Sequence, residues 1–519
     1  MSGYARALEH RPARSVMPIA LVGGLTMAAI AGLVTANQPV AAVAASALGF
    51  VGVAMMIRPN IATIAVAGVL YTNAAAVAVR EHGLPFIMGA AFPLLLLIPL
   101  AYLLVMRRER LIAAPALPWI LAFVFASTIS TIVSSEPDVA ASQLETYYLE
   151  GVVLFFLATN VMRSSKIVRS VIWTIVLAGA LLALLSVYQQ FTGDFGNQFG
   201  GFAQVSSTTE GFTVEDEGLT ASSQKRLGGP FSGGGANRYA QILLVLVPLA
   251  VFLVWTAQRL RARLLAMVAL LLLTFGVVLT FSRGAALAFA ALVVLMGALR
   301  FLRLRHLALL GAVVAIVLVS VPSYWIRVSS LVELPGVTST GSKADSSIQS
   351  RGTENLAAIL IFADHPAFGV GPGLYPQYYE EYQDRVGDYS NVIDINQKYT
   401  TRQAHNLYLG VLAETGIVGF TCLMGAIGAT VLGLWRARRR CLGAARPDLA
   451  LLPTAVGLAL AAYLITAVFL HLAYERYFFL LLALGAAAAA VTLRDLATGQ
   501  EESAASVPRS APAGHTASG

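Results

Sequence analysis

The chain has 519 residues, 57% of them hydrophobic and 12% charged, with a mean hydropathy of +0.73, which excludes a single domain living wholly in water. Its formal net charge is +8. The Lys and Arg residues fall in small clusters between apolar runs rather than along one polar face, so nucleic-acid binding is set aside.

With about 20 apolar residues needed per span, the chain predicts helices near 17–36, 40–57, 61–79, 84–106, 112–133, 147–162, 170–191, 239–257, 264–281, 285–302, 307–326, 406–433, 451–471 and 476–494. The fold class is therefore all-α: a polytopic integral membrane protein of about 12–14 transmembrane helices with a large outer helical loop. The first span follows Arg6, Arg11 and Arg14 as in a signal peptide, but no small-residue cleavage site leads into a soluble domain, and it reads as a retained helix. With the N-terminus inside, the basic clusters at 107–110, 163–169, 259–263, 300–305 and 436–440 all fall on the cytoplasmic side, as does the C-terminus. Cys422 lies in an apolar run and Cys441 in the Arg-rich stretch after it, so they are not expected to pair, and no spacing resembles a zinc or haem site.

The resulting organisation is a set of N-terminal transmembrane helices (1–191), a Gly/Ser-rich outer loop (192–238), central helices (239–326), a large outer loop (327–405), C-terminal helices (406–494) and a disordered cytoplasmic tail (495–519). No internal repeat is evident. The two outer loops exceed what a connector needs and are where function is expected. By composition the first could be a disordered linker. In the second, 354–362 reads as a short helix with an apolar side, ended by His365-Pro366 and by Gly369, Gly371 and Gly373. Tyr375, Tyr378, Tyr379 and Tyr382 then recur at helical spacing, as in a cap whose aromatics face the bilayer interface or a sugar.

Ionisable groups beside a span are costly and are functional candidates by default. Arg283 sits in Leu279-Thr280-Phe281-Ser282-Arg283-Gly284, between two apolar stretches on the outer face. Its guanidinium could hold an anion by bidentate hydrogen bonds, and a snorkelling turn residue explains the position as well. Arg226 precedes the glycines of 228–235 and Asn237, where close backbone approach and a helix start favour an anion; a flexible linker ending at an N-cap is the plainer account. His405 stands just before a helix and could act as a general base, against the alternative of a satisfied interfacial histidine. His365 reads as a structural stop, and His471 as part of an ion pair with Glu475 and Arg476 closing a turn. Two arginines, a glycine-rich loop and a histidine on one face are what a phosphate-linked lipid donor would need: cations for the leaving group and a base for the acceptor hydroxyl. No metal-binding acidic cluster stands out.

These residues resemble the O-antigen ligase and polymerase family of bacterial envelope glycosyltransferases. Thr280-Phe281-Ser282-Arg283-Gly284-Ala285 is similar to that family's Ser-Arg-Gly turn, and His405-Asn406-Leu407-Tyr408 with Glu414 to Gly419 is similar to its His-Asn segment. Arg351 and the run Asp364-His365-Pro366 with its glycine turn resemble the end of the family's large outer loop, and Arg226 through Asn237 its earlier Arg, Gly and Asn stretch. The resemblance implies a GT-C-like fold in the bacterial inner membrane with the active site on the outer face. It implies an inverting, metal-independent transfer, without a cofactor, from an undecaprenyl-diphosphate-linked glycan to a glycan, lipid or protein acceptor. By that analogy Arg226 and Arg283 hold the diphosphate, His405 activates the acceptor, and Arg351 and Asn406 contribute to substrate binding. The Gly/Ser/Thr-rich insertion at 192–224 and the acidic, Tyr-rich stretch 374–402 depart from the pattern. A transporter or flippase of lipid-linked sugars is the alternative from another class; it predicts symmetry between halves and broken helices near the bilayer midplane, whereas the candidate residues lie at outer helix ends.

Overall fold

In a bilayer the backbone must satisfy its own hydrogen bonds, so long apolar runs become helices. A computed structural model describes residues 55, 57–215, 218–231, 235–302, 344–389, 402–470 and 476–505. The helices expected at 17–36, 40–57 and 307–326 lie outside these residues, apart from Met55 and Ile57. Every other expected span has a helical counterpart. In chain order the principal ones are α1 (Asn60–Tyr71), α2 (Ala74–His82), α3 (Leu117–Ile132), α4 (Ser165–Thr192), α5 (Ala236–Thr256), α6 (Leu260–Leu279), α7 (Arg283–Ala298), α8 (Ala344–Asp364), α9 (Tyr375–Tyr389), α10 (Leu407–Gly443), α11 (Pro447–Thr466) and α12 (Arg476–Ala505). Shorter apolar helices occupy Phe92–Met106 and Gly151–Val161. Among the described residues α4, α5, α6, α10, α11 and α12 are each long and apolar enough to cross a membrane, and α1 with α2, bent by 57° at Asn73, forms a seventh candidate.

The centre is α5, whose residues from Tyr239 to Leu253 are all buried between α4, α6, α7 and α11. Its polar contacts include Tyr71 Oη donating to the Ile242 carbonyl (2.9 Å) and Gln241 Nε2 donating to the Tyr463 carbonyl (3.1 Å). On the rim, α6 exposes Leu260, Leu264, Leu265, Val268 and Leu271, a stripe that suits acyl chains and not water. The chain is an integral membrane protein.

Three elements differ from the sequence expectation. Within 192–238, strands β1 (Gln204–Glu215) and β2 (Gly218–Gly229) pair antiparallel, Ser206 opposite Arg226 and Thr213 opposite Thr220. Thr, Val and Phe among the serines supply the strand preference that composition alone hides. At the other end, α12 continues to Ala505 where a tail from 495 was expected to be disordered; Asp495 accepts from Ser165 Oγ, and Arg494 Nη1 donates to the Arg163 carbonyl at 3.1 Å, tying the extension to the start of α4. Third, three of the four tyrosines of α9 do not face the bilayer or solvent. Tyr375, Tyr379 and Tyr382 are buried with Ala357, Ala358 and Ile361 of α8 and with Ala140 and Ala413 of the bundle, so the apolar side of the cap forms a core against the helices below it.

The cap is fastened to the bundle through a break in α10. Gly416 takes φ +61° and ψ −168° inside that helix, a conformation open essentially to glycine alone. The freed backbone is taken up by the turn after α8: Val370 N–H donates to the Ala413 carbonyl (3.0 Å), Gly371 N–H to Glu414 (2.9 Å), and Ile417 N–H to Pro366 (2.9 Å). A Cβ on Gly416 would stand 2.3 Å from the Ala367 carbonyl oxygen, and one on Gly369 would meet the Glu414 carbonyl carbon at 2.4 Å. Two glycines therefore let two backbones touch, and the contact fixes where α8 lies over the helix ends.

Candidate functional site

The turn between α6 and α7 sets Arg283. Phe281 is left-handed (φ +50°), and Ser282 caps α7, its Oγ accepting from Ala285 N–H at 3.3 Å. Arg283 is thus the first helical residue, at the positive end of the helix dipole, where a cation is disfavoured and an anion favoured. Arg226, at the end of the hairpin, joins this turn to the first turn of α5. Its Nε donates to the Thr280 carbonyl (3.0 Å) and its Nη2 to Asn237 Oδ1 (2.8 Å).

Arg351, on α8, is the third guanidinium of the group. Burial first, then the charges of Arg351 and Arg283, pull the Arg226 pKa down to about 10, which leaves it protonated at neutral pH. Arg351 is also lowered, by burial and by Arg283, against an opposing pull from Glu354. Like charges near one another repel, and the more so where burial lowers the effective dielectric. Three arginines close enough to lower one another's proton affinity are suited to a dianionic ligand. The cavity is lined by Asn237, Ser282, Gly284, Ala285, Arg351 and Phe469 among others, so the N-terminal ends of α5 and α7 both open on it.

His405 precedes Asn406, the N-cap of α10. Asn406 Oδ1 accepts from Tyr408 N–H (3.0 Å) and Leu409 N–H (3.2 Å), so its carbonyl oxygen is engaged in starting the helix. His405 Nδ1 lies 2.7 Å from Glu354 Oε2 and 3.1 Å from the Gln403 carbonyl. Glu354 is fully buried; its Oε1 accepts from Arg402 Nη1 at 3.1 Å, and its main-chain carbonyl accepts from Tyr375 Oη at 2.6 Å. Burial, then the neighbouring Glu354 and Tyr379, raise the Tyr375 pKa well above its ordinary value, so the phenol stays a donor.

The structure thus brings Arg226, Arg283 and Arg351 near enough for their charges to act on one another, with Arg351 lining the cavity, and places His405 against Glu354, which is one helical turn along α8 from Arg351. Asn406 lies beside this group as a cap. His365 packs edge-on to Tyr378, with ring centroids 5.8 Å apart, and Asp364 accepts from Tyr382 and Arg385, so this pair belongs to the cap. His471 and Glu475 lie outside the described residues; Arg476 Nη2 donates to Asn73 Oδ1 at 2.8 Å. Glu354 and Arg402 were not among the residues singled out by sequence. The signal was present in Arg351-Gly352-Thr353-Glu354, an i, i+3 pair that shares one helix face. Among the described residues no group of three or more His, Cys, Asp or Glu is placed to hold a metal ion.

Residues 268–424 match the family model described as O-antigen ligase. The matched segment holds Arg283, Arg351, Glu354, His405 and the Gly416 break; Arg226 lies before it and enters the site through the Thr280 carbonyl. No curated protein matches the chain at a significant level.

Proposed function

We propose, from the premise that this chain belongs to the O-antigen ligase/polymerase family through its residues 268–424, that it transfers a glycan from an undecaprenyl-diphosphate carrier to an acceptor hydroxyl at the outer face of the bacterial inner membrane. The observation that supports the reading is a group of three mutually acting arginines, Arg351 among them lining a cavity at two helix N-terminal ends, with His405 held by Glu354 one helical turn along α8 from Arg351.

In this reading the diphosphate lies among Arg226, Arg283 and Arg351, beside the N–H groups that open α5 and α7. Repulsion among the guanidiniums is relieved when the dianion binds, and the relief is greatest as negative charge builds on the leaving oxygen. His405 takes the proton of the acceptor hydroxyl as that oxygen attacks the anomeric carbon from the side opposite the diphosphate, which inverts the configuration. Asn406 acts by fixing where the chain enters α10, and hence where the imidazole stands. The charge-stabilising groups are supplied by the chain, so no metal is assigned a step. The acceptor is a glycan, a lipid or a protein, and its identity decides whether the enzyme acts as ligase or polymerase.

The test is transfer by the purified full chain in nanodiscs, with undecaprenyl-diphosphate-linked glycan, a chelator, and a lipid A-core glycolipid or the lipid-linked glycan itself as acceptor. Product formed by the wild type and lost in Arg283→Ala and His405→Ala supports the reading, and a product ladder separates polymerase from ligase. Movement of the lipid-linked sugar across the bilayer with no new glycosidic bond would replace it with the transporter.

A further inference from the structure

We propose that Glu354 is the positioning residue of this site: its carboxylate holds the His405 imidazole in the single tautomer that can accept a proton from the acceptor. The inference rests on the reading of His405 as the base. It starts from which atoms can donate. Nδ1 of His405 faces two oxygens, Glu354 Oε2 at 2.7 Å and the Gln403 carbonyl at 3.1 Å. A main-chain carbonyl only accepts, and a carboxylate held ionised by an arginine also only accepts. Arg402, donating to Oε1 at 3.1 Å, is that arginine. Nδ1 therefore carries the hydrogen, and in the neutral ring Nε2 carries the lone pair.

Glu354 is built for this task more than for pairing one surface cation. It is fully buried, where an ionised carboxylate is tolerated only with strong partners, and each of its oxygens has one. Its stretch of α8 is held from two sides, by the Tyr375 hydroxyl on its own carbonyl and by the turn after α8 docked into the α10 break at Gly416. The same helical turn carries Arg351 onto the cavity at the start of α7. One rigid element thus sets the separation between the group that receives the leaving diphosphate and the group that orients the base.

The step balances as follows. The acceptor O–H gives its proton to Nε2, its oxygen bonds to the anomeric carbon, and the anomeric carbon–phosphate oxygen bond breaks with its electron pair going to the diphosphate. The imidazolium so formed keeps its Nδ1–H on Glu354, whose charge stabilises it without taking the proton. Wrong-tautomer variants of comparable His–carboxylate pairs lose on the order of 10⁴-fold in rate, and positioned bases contribute about 10²–10⁴-fold.

The experiment measures kcat and donor KM in nanodiscs, with undecaprenyl-diphosphate-linked glycan as donor and the lipid A-core glycolipid or the same lipid-linked glycan as acceptor, for wild type, Glu354→Gln, His405→Ala and the double variant. Glu354→Gln keeps the shape but lets an amide N–H face Nδ1. It is expected to lower kcat by about 10²–10⁴-fold with donor KM unchanged, and to cost nothing further in the His405→Ala background. An equal loss in both backgrounds, or a wild-type kcat, overturns the proposal. A His405→Ala variant as active as wild type overturns the base reading itself, whatever Glu354→Gln does. Should Glu354→Gln not fold, ¹⁵N shifts of the histidine-labelled wild type decide: His405 protonated at Nδ1 is expected, and protonation at Nε2 alone overturns the assignment.

Discussion

At the C-terminal end of α8, Asp364 accepts from Tyr382 and Arg385, opposite charge meeting opposite charge within the cap. Earlier in the same helix, Arg351 shares its surroundings with Arg283 and Arg226, and each like charge lowers the proton affinity of another. The first arrangement is what a fold selects for its own stability. The second sets like charges side by side, one of them at the positive end of α7, with Arg226 reaching a backbone carbonyl and an amide oxygen. A local electrostatic conflict set beside well-satisfied neighbours points to a ligand that resolves it.

The largest effect expected from this contrast is on activity. Arg283→Ala or Arg351→Gln should lower kcat/KM by about 10²–10³-fold, the usual loss for one preorganised charge-stabilising donor. The loss should appear in donor binding and turnover with the chain still folded, read as a retained cooperative melt. A variant that kept its activity, or that melted early, would place the arginine with the cap charges. Next comes the joint between the two regions. Gly416→Ala forces a Cβ to 2.3 Å from the Ala367 oxygen at φ +61°, a clash and backbone strain together worth several kcal/mol, on the order of 3 or more. It should lower the melting temperature and the transfer rate together, since α8 carries both Arg351 and Glu354; normal transfer in this variant would show that the docked turn does not position the site. Smaller again is Tyr375→Phe. It leaves the buried Glu354 carbonyl without the hydroxyl at 2.6 Å, a cost of about 1–3 kcal/mol, read as a lower midpoint in chemical denaturation with the wild-type donor KM retained.

What sequence could supply followed the physical strength of each signal. Spans such as α4, α5 and α6 are written in uninterrupted apolar runs, and Arg226, Arg283 and His405 stand out because charge beside such runs is rare and costly. The hairpin at 204–229 was obscured because glycine and serine count suggests a linker, while strand pairing depends on alternation with Thr, Val and Phe. Gly416 looked like one more small residue in an apolar helix; only the approach of the 366–371 backbone makes its left-handed φ necessary. Glu354 lay hidden for a related reason. Its partners Arg402 and His405 are about fifty residues downstream, and nothing local to α8 reveals that the chain returns to that face.

The smallest expected effect concerns the cap, and it sharpens the contrast by its sign. Hydrogen bonds from Tyr382 and then Arg385 hold the Asp364 carboxyl below its ordinary range. A carboxyl with a depressed folded-state pKa contributes stability above its unfolded value of about 4 and loses it as pH falls through the folded one. Wild type should therefore melt slightly above Asp364→Asn at pH of about 5 and higher, with the gap closing below about pH 4. Because Asp364 and Arg385 are both exposed, salt should shrink the gap, and transfer should hardly change. A cap variant that abolished transfer while melting normally would mean that the Asp364 pair meets substrate, and the division between paired charge for the fold and clustered charge for the ligand would fail at that residue.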